Sequence, residues 1–200
     1  KLYSGTTLLG SGTADSNGAF SITSSTLSEG TYSLTATATD SLGNVSSFSS
    51  ELFITIDTTR PSAPRLPLYT KTDDTTPTIT GSAEAGSTVN LYDVTTLLGS
   101  GTADSNGAFS ITSSTLSDGV YSLIATATDA AGNTSTYSIV NNTSSLIIDT
   151  TAPSAPSSLT TISTSTNDTT PTITVTALSC ITVKLYSLTS LLGSGTADYN

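Results

Sequence analysis

"DGVYSLIATATDAAGNTS", residues 118–135, is the stretch on which the fold turns. It opens on a small acidic turn, Asp118-Gly119. From Val120 to Thr128 the side chains then alternate, so that Tyr121, Leu123, Ala125 and Ala127 share one side. That two-residue period belongs to a strand with one face buried. The run stops at Asp129, turns through Ala130-Ala131-Gly132 and resumes at Asn133. Residues 29–46, "EGTYSLTATATDSLGNVS", carry the same device around Asp40 and Asn44.

Working outward, most of the chain proves to be repeated. "TTLLGSGTADSNGAFSITSSTLS" occurs at residues 6–28 and again, letter for letter, at 95–117. "LLGSGTAD" returns at 191–198. "IDTTRPSAP" from Ile56 is answered by "IDTTAPSAP" from Ile148, and "DDTTPTIT" from Asp73 by "NDTTPTIT" from Asn167. Small insertions are expected before Leu146 and near Ile162. Self-similarity of this kind marks a tandem array. With Asp-Thr-Thr-x-Pro-Ser-Ala-Pro as punctuation, residues 58–149 make one complete unit. Residues 1–57 make the later part of another, and 150–200 the early part of a third. The chain reads as a section of a longer array.

Composition agrees with an all-β reading. Thr, Val, Ile and Tyr favour strands, while Gly, Asn, Asp and Pro supply turns. The hydrophobic fraction of 35% suits several small sandwiches better than one large core. Within 58–149, strands are expected over 78–80, 87–92, 97–103, 108–112, 120–128, 134–140 and 146–148. Val89 and Leu91 should share a face, as should Phe109 and Ile111. Such spacing fits an immunoglobulin-like sandwich, with Tyr121 placed where these folds put a corner tyrosine, and it leaves a fibronectin-like or cadherin-like sandwich open as well.

Fifteen acids against five bases give a net charge of −10, which excludes a phosphate-tracking, nucleic-acid-binding surface. The single Cys180 permits no intrachain disulfide, and no apolar run reaches the roughly 20 residues of a membrane span. There is no His, no nucleophile–base set and no phosphate loop, so the chain is read as no enzyme. "GSG" at 99–101 does not match a nucleophile elbow.

If successive strands run up and down, the acids collect at two poles. One end gathers Asp57, the Glu84-Ala85-Gly86 loop, the Asp104–Gly107 turn and the Asp129–Asn133 loop. The other gathers Asp73, Asp74, Asp93, the 117–119 turn and Asp149. Two carboxylates about 4 Å apart repel by roughly 1 kcal/mol even in water, and a hard cation between stacked units would turn that repulsion into cohesion. Calcium takes six to eight oxygens from carboxylates, amide side chains and carbonyls. Asp57, Glu84 and Asp129 are the expected ligands, with Asn133 assisting and Asp40 and Asp149 as equivalents at neighbouring junctions. The alternative stands beside it: Asp and Asn at strand ends are ordinary turn formers, and for "DSNG" that reading is preferred.

The ordered set "DTTAPSAP", "TPTITGSAEAGSTVNLYD", "LLGSGTADSNGAFSI", "DGVYSLIATATDAAGNTS" and "IDTT" resembles the bacterial Ig-like repeats of giant surface adhesins and biofilm-associated proteins, which are commonly exported by type I secretion. The resemblance covers essentially the whole chain. It implies tandem sandwiches forming a rod outside the cell, on the bacterial surface, each repeat's partner being its neighbour in the chain. It also implies calcium between domains that stiffens the rod. The last copy departs: "VTALSCI" at 175–181 replaces "GSAEAGS" at 81–87, so Leu178 stands at the place of Glu84. The competing reading is a glycan- or protein-binding sandwich module, although Trp is absent and several aromatics are committed inward. The truncated end units raise a separate expectation, that their open edges pair between chains or remain disordered.

Overall fold

The computed structural model describes residues 1–66, 69–138, 145–161 and 165–197. It divides into two units, residues 1–149 and 150–200. All its regular elements are strands. Among the described residues no helix is long and apolar enough to cross a membrane.

The complete repeat carries the core. In chain order after four earlier strands, β1 (Leu2–Ser4), β2 (Thr7–Gly10), β3 (Gly30–Ala36) and β4 (Leu52–Ile56), come β5 (Tyr69–Thr72), β6 (Thr78–Ser82), β7 (Thr88–Asp93), β8 (Thr96–Thr102), β9 (Ala108–Thr112), β10 (Gly119–Thr128) and β11 (Ser145–Ile148). One sheet has the order β5-β11-β10-β7-β8 and the facing one pairs β6 with β9. All these ladders are antiparallel except β5 on β11, which run parallel from Ser145↔Tyr69 to Ile148↔Thr72. The apolar sides meet in between: Ile79, Phe109 and Ile111 from the small sheet, and Val89, Leu91, Leu98, Leu123, Ala125, Leu146 and Ile148 from the large one. Val89 with Leu91, Phe109 with Ile111, and Leu123 with Ala125 and Ala127 are buried as the alternation requires. Tyr121 is the corner tyrosine, its hydroxyl donating to the Ser117 carbonyl at 2.9 Å. Tyr32 does the same toward Ser28 at 3.0 Å.

The expected strand over 134–140 takes another form, and its last residues, Ile139 and Val140, lie outside the described ones. So does part of the insertion before Leu146, together with Ile162. Over 134–138 the segment does not follow the two-residue period. Ser135 and Ser138, both buried, stand three apart and dock on β10 through side chain and backbone together. Ala127 N–H donates to Ser135 Oγ at 2.9 Å while Ser135 N–H donates to the Ala127 carbonyl at 2.8 Å. Ala125 and Ser138 repeat the exchange at 3.0 and 2.8 Å. The hydroxyl thus replaces a backbone acceptor. Ser46 on Ala38 and Ser49 on Ala36 copy the arrangement in the first repeat.

The two identical stretches share their turn, with Asp15 and Asp104 each accepting two loop N–H groups, but not their strand pairing or burial. Residues 95–117 contain β8 and β9, with Phe109 4% and Ile111 1% exposed. The same letters at 6–28 form β2 but no strand over 19–23, and Phe20 is 63% exposed. The difference is the partner. β9 is laddered to β6, with Ile79↔Ile111 and Gly81↔Phe109, whereas within 1–57 nothing plays the part of β6. Strand formation here is a property of the pairing with a partner segment, not of the local letters alone.

Residues 150–200, described by themselves, hold two antiparallel pairs: β12 (Ser158–Thr161) with β13 (Ile173–Thr176), and β14 (Thr182–Ser187) with β15 (Ser190–Thr196). The departure "VTALSCI" has a backbone consequence. Cys180 sits at φ 62°, where its counterpart Gly86 has φ 77°. The left-handed region suits glycine and strains a residue with a Cβ.

The hydroxyl pairing makes a differential prediction. Ser135→Ala leaves the buried Ala127 N–H without an acceptor, a cost of about 1–3 kcal/mol. Ser46→Ala, at an exposed position where water substitutes, stays within about 0.5 kcal/mol. Urea unfolding of the two variants beside the parent chain measures both, and equal losses would refute the role assigned to Ser135.

Candidate functional site at the repeat junction

The ladders settle which loops share an end. Thr88 pairs with both Thr128 and Thr102, so the loops that precede β7 and follow β8 and β10 lie together. Gly86 N–H donates to the Ala103 carbonyl at 3.0 Å and Ala103 N–H to the Ser87 carbonyl at 3.0 Å. Ala83 N–H donates to the Gly107 carbonyl at 2.9 Å, docking the "DSNG" turn on the Glu84 loop. Gly107 is required there, at φ 81°, because a Cβ would meet the Ala83 carbonyl oxygen at 2.5 Å.

Asp57, Glu84, Asp129 and Asn133 therefore stand at one end of the complete repeat, as the strand order predicts. Their chemistry is more local than a shared cation. Asp129 Oδ1 accepts from the backbone N–H of Ala131 and of Asn133, each at 2.9 Å, and its Oδ2 accepts from Asn133 Nδ2 at 2.9 Å. The second hydrogen of that amide goes to the Asp57 carbonyl at 3.0 Å. Asp57 spends Oδ1 on the Thr59 N–H at 2.9 Å. Glu84, exposed, contributes its backbone carbonyl, which accepts from Ser87 N–H at 3.1 Å and Ser87 Oγ at 2.7 Å. Asp57, Asp129 and Asn133 are brought into one chain of hydrogen bonds. The described bonds of Glu84 stay within its own loop.

Asp40 repeats the Asp129 pattern, accepting Leu42 N–H at 2.9 Å, Asn44 N–H at 2.8 Å and Asn44 Nδ2 at 2.8 Å. Asp149 lies at the other end and pairs with Lys71 Nζ at 3.1 Å. Asp93 and Asp74, also at that end, accept Ser122 N–H and Thr76 N–H, each at 2.8 Å. In the "DSNG" turn, Asp104 Oδ1 accepts Asn106 N–H at 2.8 Å and Ala108 N–H at 2.9 Å, which is the turn-former role. Among the described residues no three acids, cysteines or histidines come together in a group able to hold a metal. As arranged, the donor set does not make a calcium shell. Asn133 turns its NH2 rather than its oxygen to Asp57, and the Asp129 carboxylate is already taken by three N–H donors.

A contributor that sequence reading missed is Glu29, in the turn before β3. Its Oε2 accepts Thr58 Oγ1 at 3.0 Å and its Oε1 accepts Thr59 Oγ1 at 2.7 Å. Further along the linker Pro61 and Pro64 are buried, and Arg65 exchanges two backbone hydrogen bonds with Ser82, at 2.8 and 3.1 Å. The linker is thus attached along its length.

The Asp40 and Asp129 loops, in successive repeats, are closed by the same set of hydrogen bonds. The sequence model of the bacterial Ig-like domain matches residues 1–58 and 70–150. The chain belongs to that family. The bacterial Ig-like repeats here find no match among curated proteins. Among solved structures the chain is similar to a biofilm-associated protein, BSP domain, at 27% identity over 76% of this chain and 25% of that one, with a TM-score of 0.33. It is also similar to the fibronectin(III)-like modules of CbhA from Clostridium thermocellum, at 19% identity over 74% of this chain and 75% of that one, with a TM-score of 0.45. The chain spans a quarter of the length of the first of these structures.

The Asp129 carboxyl titrates below its ordinary 3.8, chiefly because Asn133's side chain donates to it, and the backbone donors of the loop act in the same direction. Asp40 is lowered in the same way by Asn44. A lowered folded-state value means that the contribution is complete above the unfolded value and is lost as pH falls through the lowered one. The Asn133 side-chain amide resonances should therefore shift on acidification with a midpoint below 3.8. A midpoint at or above 3.8 in an NMR titration would contradict the bond.

Proposed function

We propose that the chain is a structural spacer from a bacterial cell-surface adhesin: a rod of Ig-like repeats, outside the cell, that supports adhesion or biofilm formation by holding a binding region away from the envelope. The carrying observation is the linker bond between Asn133 and the Asp57 carbonyl, by which the complete repeat holds the chain that enters it. Family membership, the near-identical repeats and the uncharged body with acidic ends support the same reading. The proposed partners are the neighbouring repeats of the chain itself.

Calcium at the junctions belongs to this proposal as its finer part. It asks for a rearrangement in which Asp57 and Asp129 exchange their present donors for the ion, Glu84 turns its carboxylate toward it and Asn133 turns its oxygen inward. Extracellular modules bind calcium with dissociation constants of about 10⁻⁴–10⁻³ M. At millimolar calcium that adds on the order of 0.4–1.4 kcal/mol per site, small for one sandwich but repeated at each junction of an array.

Small-angle scattering of proteins carrying one, two and three complete repeats tests the spacer reading. The expected result is a maximum dimension that grows by a constant step per repeat. Growth that flattens with repeat number, as for a collapsing chain, would defeat it. A step insensitive to calcium and chelator would remove the ion and leave the spacer.

A further inference from the structure

Three consecutive linker residues are gripped from both sides. Asn133, in the loop after β10 of the complete repeat, donates to the carbonyl of Asp57. Glu29, in the turn before β3 of the first repeat, accepts the hydroxyls of Thr58 and Thr59. Asp57 closes the turn between them through Thr59 N–H. We infer that these side chains form a hydrogen-bonded clamp that sets the angle between successive repeats, with Glu29 and Asn133 as its positioning residues. The inference deepens the spacer reading and rests on it for its purpose.

The stoichiometry of donors and acceptors supports the clamp. A carboxamide nitrogen carries two hydrogens, and both of Asn133's are used, one on Asp129 Oδ2 and one on the linker carbonyl. Asp129 in turn fixes the Asn133 backbone, so the amide is held in position before the linker arrives. On the other side a carboxylate accepts from two hydroxyls, one per oxygen, the kind of bond that charge shortens and strengthens. The 2.7 Å contact from Thr59 fits that description. No bond in the set needs an ion. Beyond the clamp, buried Pro61 and Pro64 restrict the backbone, so the bending freedom of the linker is concentrated at residues 57–59, where the clamp acts. The sequence repeats the same parts: Asp149-Thr150-Thr151 for the linker, an acid at Asp118 in the turn before the corner tyrosine, and the Asp40/Asn44 pair.

The test is orientation measured in the absence of metal. Backbone residual dipolar couplings of the 200-residue chain in EDTA should fit one alignment tensor for residues 1–57 and 69–138 together. Asn133→Ala combined with Glu29→Gln should split the fit into two tensors, the smaller set reduced about twofold or more in magnitude. Glu29→Gln alone, which touches no backbone bond, should give an intermediate reduction. Unchanged amide shifts in β7 and β10 establish that the sandwich itself is intact. A double variant that still fits one tensor overturns the clamp. So does a parent chain that needs two tensors in EDTA and one in calcium, and that outcome leaves the spacer reading in place with the ion as its stiffener. Two tensors in both conditions overturn the clamp and the stiff rod together.

Discussion

A strand in this protein stands only where another strand is laddered to it. The chain is rich in Ser and Thr, charged at only 10% of its positions and short of large side chains, so each strand contributes a few apolar groups on one face. None of them can hold a conformation alone. Burying Ile79, Phe109 and Ile111 against Val89, Leu91 and Leu123 removes from water an amount worth about 1.5–3 kcal/mol per large side chain, and that sum must offset the cost of ordering the backbone. Without a laddered partner the same letters lose pairing and burial, as Phe20 shows, whereas β15 keeps its ladder although all of it is exposed. The two-sheet closure is therefore the constraint from which the loops, the ends and the linker all take their positions.

Charge follows from the same constraint. The sheets have no room for carboxylates, so the acids sit at the ends, where the turns need acceptors for backbone N–H groups. Asp129, Asp40, Asp104 and Asp74 each close a turn on themselves. An acid so occupied is stable without a counter-ion, which is how a chain of net charge −10 keeps its poles together. The linker uses what the turns leave over: one amide hydrogen of Asn133 and the two oxygens of Glu29. Junction geometry is thus built from leftover donors and acceptors of loops whose first task is to end strands.

Much of this was legible in the letters. The alternation over Val120–Thr128 names its buried face, and Tyr121 names its corner. Strand parity places Asp57, Glu84 and Asp129 at one end. Three things were not legible, each for a physical reason. Segment 134–138 breaks the two-residue period because serine hydroxyls substitute for carbonyls, and only the recurrence of serines at 135/138 and 46/49 hints at it. The parallel pairing of β5 with β11 joins segments far apart in sequence, a relation that periodicity does not report. The grip on the linker runs from a side-chain amide to a backbone carbonyl and from hydroxyls to Glu29, so a search for converging carboxylates passes over it. The recurring acid before the corner tyrosine, Glu29 and Asp118, was the available signal.

The two identical stretches, 6–28 and 95–117, are a built-in comparison of cover against no cover within one molecule. Amide hydrogen exchange resolved residue by residue by NMR on the 200-residue chain reads it directly. The account predicts protection at Phe109–Thr112 and fast exchange at Phe20–Thr23. Equal protection at both would contradict it, because the letters alone would then be holding the strand.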